Sequence, residues 1–275
     1  MSNPEGRLDV AAVQLSTQDD VAENLAKARA MVAEAAGRGA RLVVLPENLA
    51  YMGPEWRKRE LAAPLANGSQ VFDALSDTAK QARVWVIAGG IPEKSPDPLR
   101  PYNTCAVFSP DGSLLASYRK IHLFDVDLPD GTRLLESEAC LPGDALRCVT
   151  IEGFRIGLSI CYDLRFPEMY RRLASMGADA VVIPSAFTVT TGKDHWHVLI
   201  RARAIENQVY AIAPAQFGRH PKRTTYGKTL IVDPWGTVVA QCSDGVGVCH
   251  HTLDKGYLRS VRESLPALRH RRNVS

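Results

Sequence analysis

The sequence predicts an α/β protein with mixed β-sheets covered by helices. Three observations carry this expectation. Short apolar strands alternate with helical stretches, the pattern of parallel β-α-β units. Two such units end on similar runs, Gly39-Ala40-Arg41-Leu42-Val43-Val44-Leu45-Pro46 and Gly177-Ala178-Asp179-Ala180-Val181-Val182-Ile183-Pro184. Two other segments read as hairpins, which add antiparallel strands.

The elements follow in chain order. Leu8–Gln14 is a first strand. Residues 20–37 place Val21, Leu25, Ala28, Val32 and Ala35 at helical spacing, and Gly37 and Gly39 end that helix. Arg41–Pro46 is a buried strand with Glu47 just past it, and Val84–Gly90 is another strand. Asn103–Phe108 opens a hairpin that turns at Pro110-Asp111-Gly112 and runs to residue 119. In the second half, Ile156–Ile160 is a strand, and Pro167 sits in the first turn of a helix that Gly177 closes. Asp179–Pro184 is the next strand. Thr229–Val232 and Thr237–Ala240 flank the turn Asp233-Pro234-Trp235-Gly236 as a second hairpin. The similar runs read either as a repeated unit or as two strands sharing similar turns. No linker or low-complexity segment interrupts the chain. One domain over residues 1–275 is expected, with a core at about 8–255 and a C-terminal tail at 256–275.

The chain has 275 residues, 45% apolar and 23% charged, and a net charge of +3. That balance suits a soluble globular protein and is too small to argue for nucleic acid or membrane as a partner. The six cysteines, Cys105, Cys140, Cys148, Cys161, Cys242 and Cys249, show no Cys-x-x-Cys spacing, and no metal site or cofactor is expected. Residues Met1–Arg7 contain no apolar signal core, and no apolar run nears the ~20 residues that span a bilayer. A cytoplasmic protein with reduced thiols follows as the simplest reading.

Three segments place a reactive group at the end of an apolar strand. They are Leu45-Pro46-Glu47-Asn48, Tyr118-Arg119-Lys120-Ile121-His122-Leu123-Phe124-Asp125 and Cys161-Tyr162-Asp163-Leu164-Arg165-Phe166-Pro167-Glu168. Ligands in α/β sheets bind beyond the carboxyl ends of strands, so a carboxylate, an ammonium and a thiol can converge there. Singly, each has a bland reading as a helix cap, a surface lysine or a core cysteine.

Together, and in this order, the three segments resemble the signature segments of the nitrilase-like (carbon–nitrogen hydrolase) family. Pro184-Ser185-Ala186-Phe187, Arg201-Ala202-Arg203-Ala204-Ile205-Glu206-Asn207 and Asp233-Pro234-Trp235-Gly236 also fit, and the resemblance runs from about Leu8 to Arg272. It implies a four-layer α-β-β-α sandwich that assembles as a homo-oligomer. It implies Cys161 as nucleophile, Glu47 as general base and acid, and Lys120 with the Tyr162 N–H as oxyanion donors. Glu136 is expected to position Lys120 or the attacking water. The implied activity is metal-independent amide hydrolysis through a thioester. The expected partner is a small carboxylate-bearing amide, with deaminated glutathione ahead of 2-oxoglutaramate. A catalytically silent scaffold is the non-enzymatic alternative.

Arg165 is the candidate for a substrate carboxylate, because a guanidinium holds that group bidentately. A structural ion pair with Glu168 or Asp163 is its alternative. Phe187, Thr191 and His195 are candidates to shape the pocket. His122 or His195 beside Cys161 is the rival Cys–His design. His195-Trp196-His197 has strand-like metal spacing but lies in a stretch that reads as helical. Arg201, Arg203 and Glu206 read as structural or at a subunit contact. The segment Arg219-His220-Pro221-Lys222-Arg223 reads as a basic loop on the side where a leaving group departs. The tail Arg269-His270-Arg271-Arg272 reads as solvated or at a dimer edge.

Overall fold

In a computed structural model of the chain, residues 6–127 and 133–272 are described. The reading of the N-terminus falls mostly on Met1–Glu5 and the end of the tail on Asn273–Ser275, outside the described residues. Twelve of the described strands form two six-stranded sheets. The first contains β1 (Arg7–Gln14), β2 (Leu42–Leu45), β3 (Trp85–Glu93), β4 (Tyr102–Phe108) and β5 (Leu114–Arg119). The second contains β6 (Cys148–Ile151), β7 (Phe154–Leu158), β8 (Ala180–Val182), β9 (Tyr210–Ala213), β10 (Leu230–Val232) and β11 (Val238–Gln241). The last strand, β12 (Gly247–Asp254), returns to the first sheet and pairs antiparallel with β1.

The strand orders are β12-β1-β2-β3-β4-β5 and β6-β7-β8-β9-β10-β11. In each, three central strands are parallel and the outer ones antiparallel. The two halves therefore share topology as well as the similar runs around Pro46 and Pro184. Both predicted hairpins form, as β4–β5 and β10–β11.

The parallel strands need crossovers, and helices supply them. Helices α1 (Val21–Gly37) and α2 (Gln70–Ala82) cover the first sheet, while α3 (Pro167–Ser175) and α4 (Val189–Asn207) cover the second. The α1 start is capped by Asp20, whose side chain accepts the Glu23 N–H at 3.0 Å. Its buried face carries the predicted Leu25, Ala28, Val32 and Ala35, where burying Leu25 or Val32 contributes about 1.5–3 kcal/mol each.

Residue parity along the strands shows the layering. Val10, Ala12, Leu42 and Val44 pack in the cluster that contains the second sheet, whereas Ala11, Val13, Val43 and Leu45 pack against α1 and α2. Both faces of the central strands are buried, and this is why they read as continuous apolar runs. The expected α-β-β-α sandwich is what forms. The two sheets come very close near the strand ends. A Cβ on Gly89 would lie 2.0 Å from the Pro184 Cβ, so glycine is required at that crossing.

Candidate active site

The sheets bring the three reactive groups to one cleft from their strand ends. Glu47 stands two residues past β2, Lys120 directly after β5, and Cys161 three residues past β7. Glu47 and Lys120 are 4% and 2% exposed. Backbone bonds fix Lys120 locally, because its N–H donates to Asn103 O at 2.9 Å and its carbonyl accepts from Gly143 N at 2.8 Å. Gly90 packs beneath Glu47 with φ +66°, and a Cβ there would lie 2.7 Å from the Glu47 Cγ.

The Lys120 ammonium donates to Glu47 Oε1 at 3.0 Å and to Glu136 Oε1 and Oε2 at 3.0 and 2.8 Å. Burial opposes its charge, yet Glu136 and then Glu47 outweigh that and hold it well above the ordinary lysine range. Glu136 is in turn held below the usual carboxylate range: burial opposes this, and the Lys120 charge overcomes it. Glu136 Oε2 also accepts the Phe124 N–H at 2.7 Å. Asn103 bridges the carboxylates, donating through Nδ2 to Glu47 at 3.0 Å and to Glu136 at 3.1 Å. A buried charge cluster survives only when its donors and acceptors are paired in this way.

Cys161 opens a 3-10 turn, Cys161–Arg165, in left-handed backbone with φ +47°. That conformation is costly for a residue with a Cβ and marks strain at a functional turn. Its N–H donates to Pro184 O at 2.9 Å. Burial, then the Glu47 charge, pushes the Cys161 thiol well above the ordinary range, and Lys120 and the Ala186 N–H only partly offset them. Glu47 lies within hydrogen-bonding reach of the thiol. Burial and the Glu47 charge both favour the thiol over the thiolate at Cys161.

The turn is held by Asp163, which is fully buried. Its carboxylate accepts from Tyr118 Oη at 2.7 Å, Ile160 N at 2.9 Å and His122 N at 3.0 Å. The His122 Nδ1 lies 2.7 Å from the same carboxylate, and its ring stacks on Phe166 with centroids 3.6 Å apart. Asp163 thereby ties the Cys161 turn to the strand end carrying Lys120. Asp163→Asn is expected to lower stability by about 2–3 kcal/mol, the scale of charged hydrogen bonds lost in a buried network. Urea unfolding measures this, and a loss under about 0.5 kcal/mol would mean that the network holds nothing.

The cleft has about 590 Å³ of empty space, partly open to solvent. Arg165 enters it with its guanidinium 5.8 Å from the Tyr162 ring and 5.3 Å from the Phe187 ring, both within cation–π range. Among the described residues no carboxylate lies within ion-pair distance of Arg165, so the alternative pairing with Glu168 or Asp163 is not what forms. Phe187 and Thr191 line the cleft as expected. His195 does not; it is exposed and lies 3.3 Å behind Arg165, Nδ1 to Nη1. Engaged with Asp163 and Arg165, His122 and His195 form no Cys–His pair with Cys161. His195 and His197 lie on α4, and among the described residues no His, Cys, Asp and Glu set can hold a metal. Arg203 and Glu206 form the expected i, i+3 pair at 3.0 Å.

The basic segment is a loop at residues 220–223, the turn of a ribbon, but only part of it is solvated. Residues 217–226 form a β-ribbon, Phe217–Arg219 paired with Thr224–Tyr226. His220 is buried inside it, with Nδ1 2.6 Å from Thr17 O and Nε2 2.7 Å from Thr225 Oγ1. Only Arg223 of this segment lines the cleft, where it pairs with Glu55. The sequence reading missed Glu55 and Lys58, which lie in short helical turns with no distinctive local pattern. It also missed Asn103, although that residue begins the hairpin strand leading to Lys120.

A buried thiol, a carboxylate within its reach and a fixed ammonium at the floor of one cleft, carried by two facing sheets, match a known family. Residues 9–263 match the carbon–nitrogen hydrolase family, and the chain belongs to it. It is a carbon–nitrogen hydrolase. Deaminated glutathione amidase of Synechocystis is 43% identical over 95% of this chain and 97% of its own length. The human deaminated glutathione amidase is 40% identical over 96% of this chain and 82% of that protein. Omega-amidase NIT2 of Danio rerio is 40% identical over 96% and 94%. Among solved structures, Saccharomyces cerevisiae Nit3 of the nitrilase superfamily superposes with a TM-score of 0.88 at 32% identity, covering 99% of this chain and all of that one. No described helix is long and apolar enough to cross a membrane.

Proposed function

We propose that the chain is a cysteine-dependent amidase with Glu47, Lys120 and Cys161 as catalytic triad. The observation that carries this is the convergence of the buried Cys161 thiol, the Glu47 carboxylate within its reach and the buried Lys120 ammonium 3.0 Å from that carboxylate. Glu47 takes the Cys161 proton as sulfur bonds to the amide carbon. Lys120 and the Tyr162 N–H receive the developing oxyanion. Collapse breaks the C–N bond, and the amine leaves with the proton held by Glu47. Water then attacks the thioester, Glu47 takes its proton, and the acid departs as the thiol is restored. Glu136 acts as a positioning residue through Lys120.

The substrate proposed is deaminated glutathione, split to 2-oxoglutarate and cysteinylglycine. The names of the relatives support it, as does the unpaired Arg165, which suits the 2-oxo acid carboxylate. 2-Oxoglutaramate carries the same acyl part and is the second reading, supported by the omega-amidase relative. Parallel assays of both amides on the purified protein test the choice. Higher catalytic efficiency on 2-oxoglutaramate would reverse it. Arg165→Ala is expected to weaken carboxylate-bearing amides by about 2–5 kcal/mol and neutral amides far less. Steady-state kinetics on both kinds check this, and equal losses would assign Arg165 to structure.

The proposal takes residues 1–275 as one catalytic domain of a homo-oligomer. Val198 and Ile205 of α4 are exposed at 65% and 45%, with Trp235 nearby in the chain's second half at 57%, and a second copy suits such an apolar surface. Six unpaired cysteines support a reducing, cytoplasmic setting.

A further inference from the structure

The cleft contains more charge than the triad and Arg165 use. Lys58 and Arg223 both line it, and both pair with one carboxylate, Glu55. Lys58 Nζ is 2.7 Å from Glu55 Oε2, and Arg223 Nη2 contacts Glu55 Oε1. Among the described residues Glu55 is the ion-pair partner of each. An ammonium carries three donors and a guanidinium five, so one carboxylate leaves most of them unused. The Glu55 carboxyl feels this excess: burial opposes its ionisation, yet Lys58 and Arg223 bring it down to about 2. Lys58 is 9% exposed, so its ammonium is held at the cleft wall rather than in bulk water.

The position of this group matters. A second cavity, of about 320 Å³, adjoins the cleft and shares Asn48 and Lys58 with it. Arg165 does not border that cavity. Lys58 borders both cavities, whereas Arg165 and Cys161 border only the first. A substrate whose acyl-side carboxylate sits on Arg165 must send its leaving group toward another wall.

We propose that Lys58 and Arg223, joined through Glu55, form a second carboxylate subsite that receives the carboxylate of the departing amine. The inference rests on the amidase reading above. Two cations around one carboxylate leave a net positive charge, and a substrate carboxylate completes the set. The subsite selects amides whose leaving group is an acidic amino acid derivative or peptide over those that release ammonia.

The test compares deaminated glutathione with 2-oxoglutaramate on Arg223→Gln, Lys58→Gln and Glu55→Gln, each checked for folding by thermal melt. The first two are expected to lower the ratio of catalytic efficiencies, deaminated glutathione over 2-oxoglutaramate, by about tenfold or more. Glu55→Gln removes the competing carboxylate and is expected to raise the ratio. A merely structural cluster would lower both efficiencies together in all three variants. Calorimetric binding to the Cys161→Ala protein separates this inference from the activity. Arg223→Gln in that background should weaken deaminated glutathione by the same factor and 2-oxoglutaramate less. An unchanged ratio, equal losses, or no binding of deaminated glutathione by the Cys161→Ala protein overturns the subsite. Selective binding without hydrolysis by the wild type would keep the subsite and reject the proposed reaction.

Discussion

Cys161→Ala is expected to leave a folded protein whose hydrolysis falls on the order of 10⁴-fold or more, the scale seen when a nucleophile that acts with its base is removed. The side chain is small, and alanine keeps the apolar packing around it. The left-handed backbone at φ +47° is set by the 3-10 turn and the bond to Pro184 O, which alanine retains. Circular dichroism should therefore match wild type while the amide assay goes flat. Added EDTA should leave wild-type rates unchanged, because no step needs a metal. Retained turnover in the alanine variant would reject the thiol route.

Glu47→Gln is expected to cost about 10²–10⁴-fold in kcat, the range for a lost general base. Glutamine preserves the shape above Gly90 and can still accept from Lys120 and Asn103, so the floor of the cleft stays in place. It cannot take the Cys161 proton. Burial pushes that thiol up even without the Glu47 charge, so the variant is expected to keep it protonated. The pH profile supplies the sign. In the proposed mechanism, Glu47 takes the thiol proton during the reaction, so wild type does not depend on hydroxide for this step. In Glu47→Gln, residual activity should rise with pH, as hydroxide begins to remove the thiol proton. A variant with wild-type kcat and a flat profile would remove Glu47 from the mechanism.

The sequence made the strand ends legible because residues such as Val43 and Val181 are buried on both faces and read as unbroken apolar runs. Glu47 and Cys161 stand within three residues of such runs and Lys120 follows a half-buried strand, and it was the joint resemblance of their three segments to those of the carbon–nitrogen hydrolases that singled them out. β12 escaped notice because it mixes Gly247, His250, His251 and Thr252, and only Cys249 and Leu253 of its eight residues are buried. Its strand character comes from pairing with β1, which is a tertiary fact. α2 was missed although its buried positions Val71, Phe72, Leu75 and Ala79 fit a helix and the apolar strand at Trp85 follows it directly. The basic run 219–223 was legible as a loop, but the burial of His220 was not. Composition suggested a solvated loop, whereas Thr17 and Thr225 supply partners that draw His220 inward. Lys58 and Glu55 owe their role to a contact with Arg223 across more than 160 positions of chain, which no local pattern encodes.

The proposed reaction turns on a covalent bond between the acyl part of the substrate and the Cys161 sulfur. Rapid acid quench during turnover, followed by peptide mapping in a mass spectrometer, tests it most directly. The prediction is a 2-oxoglutaryl thioester on the peptide bearing Cys161, identical whether deaminated glutathione or 2-oxoglutaramate supplies it. Product accumulating at every quench time with that peptide unmodified, or the acyl group found on another residue, would contradict it.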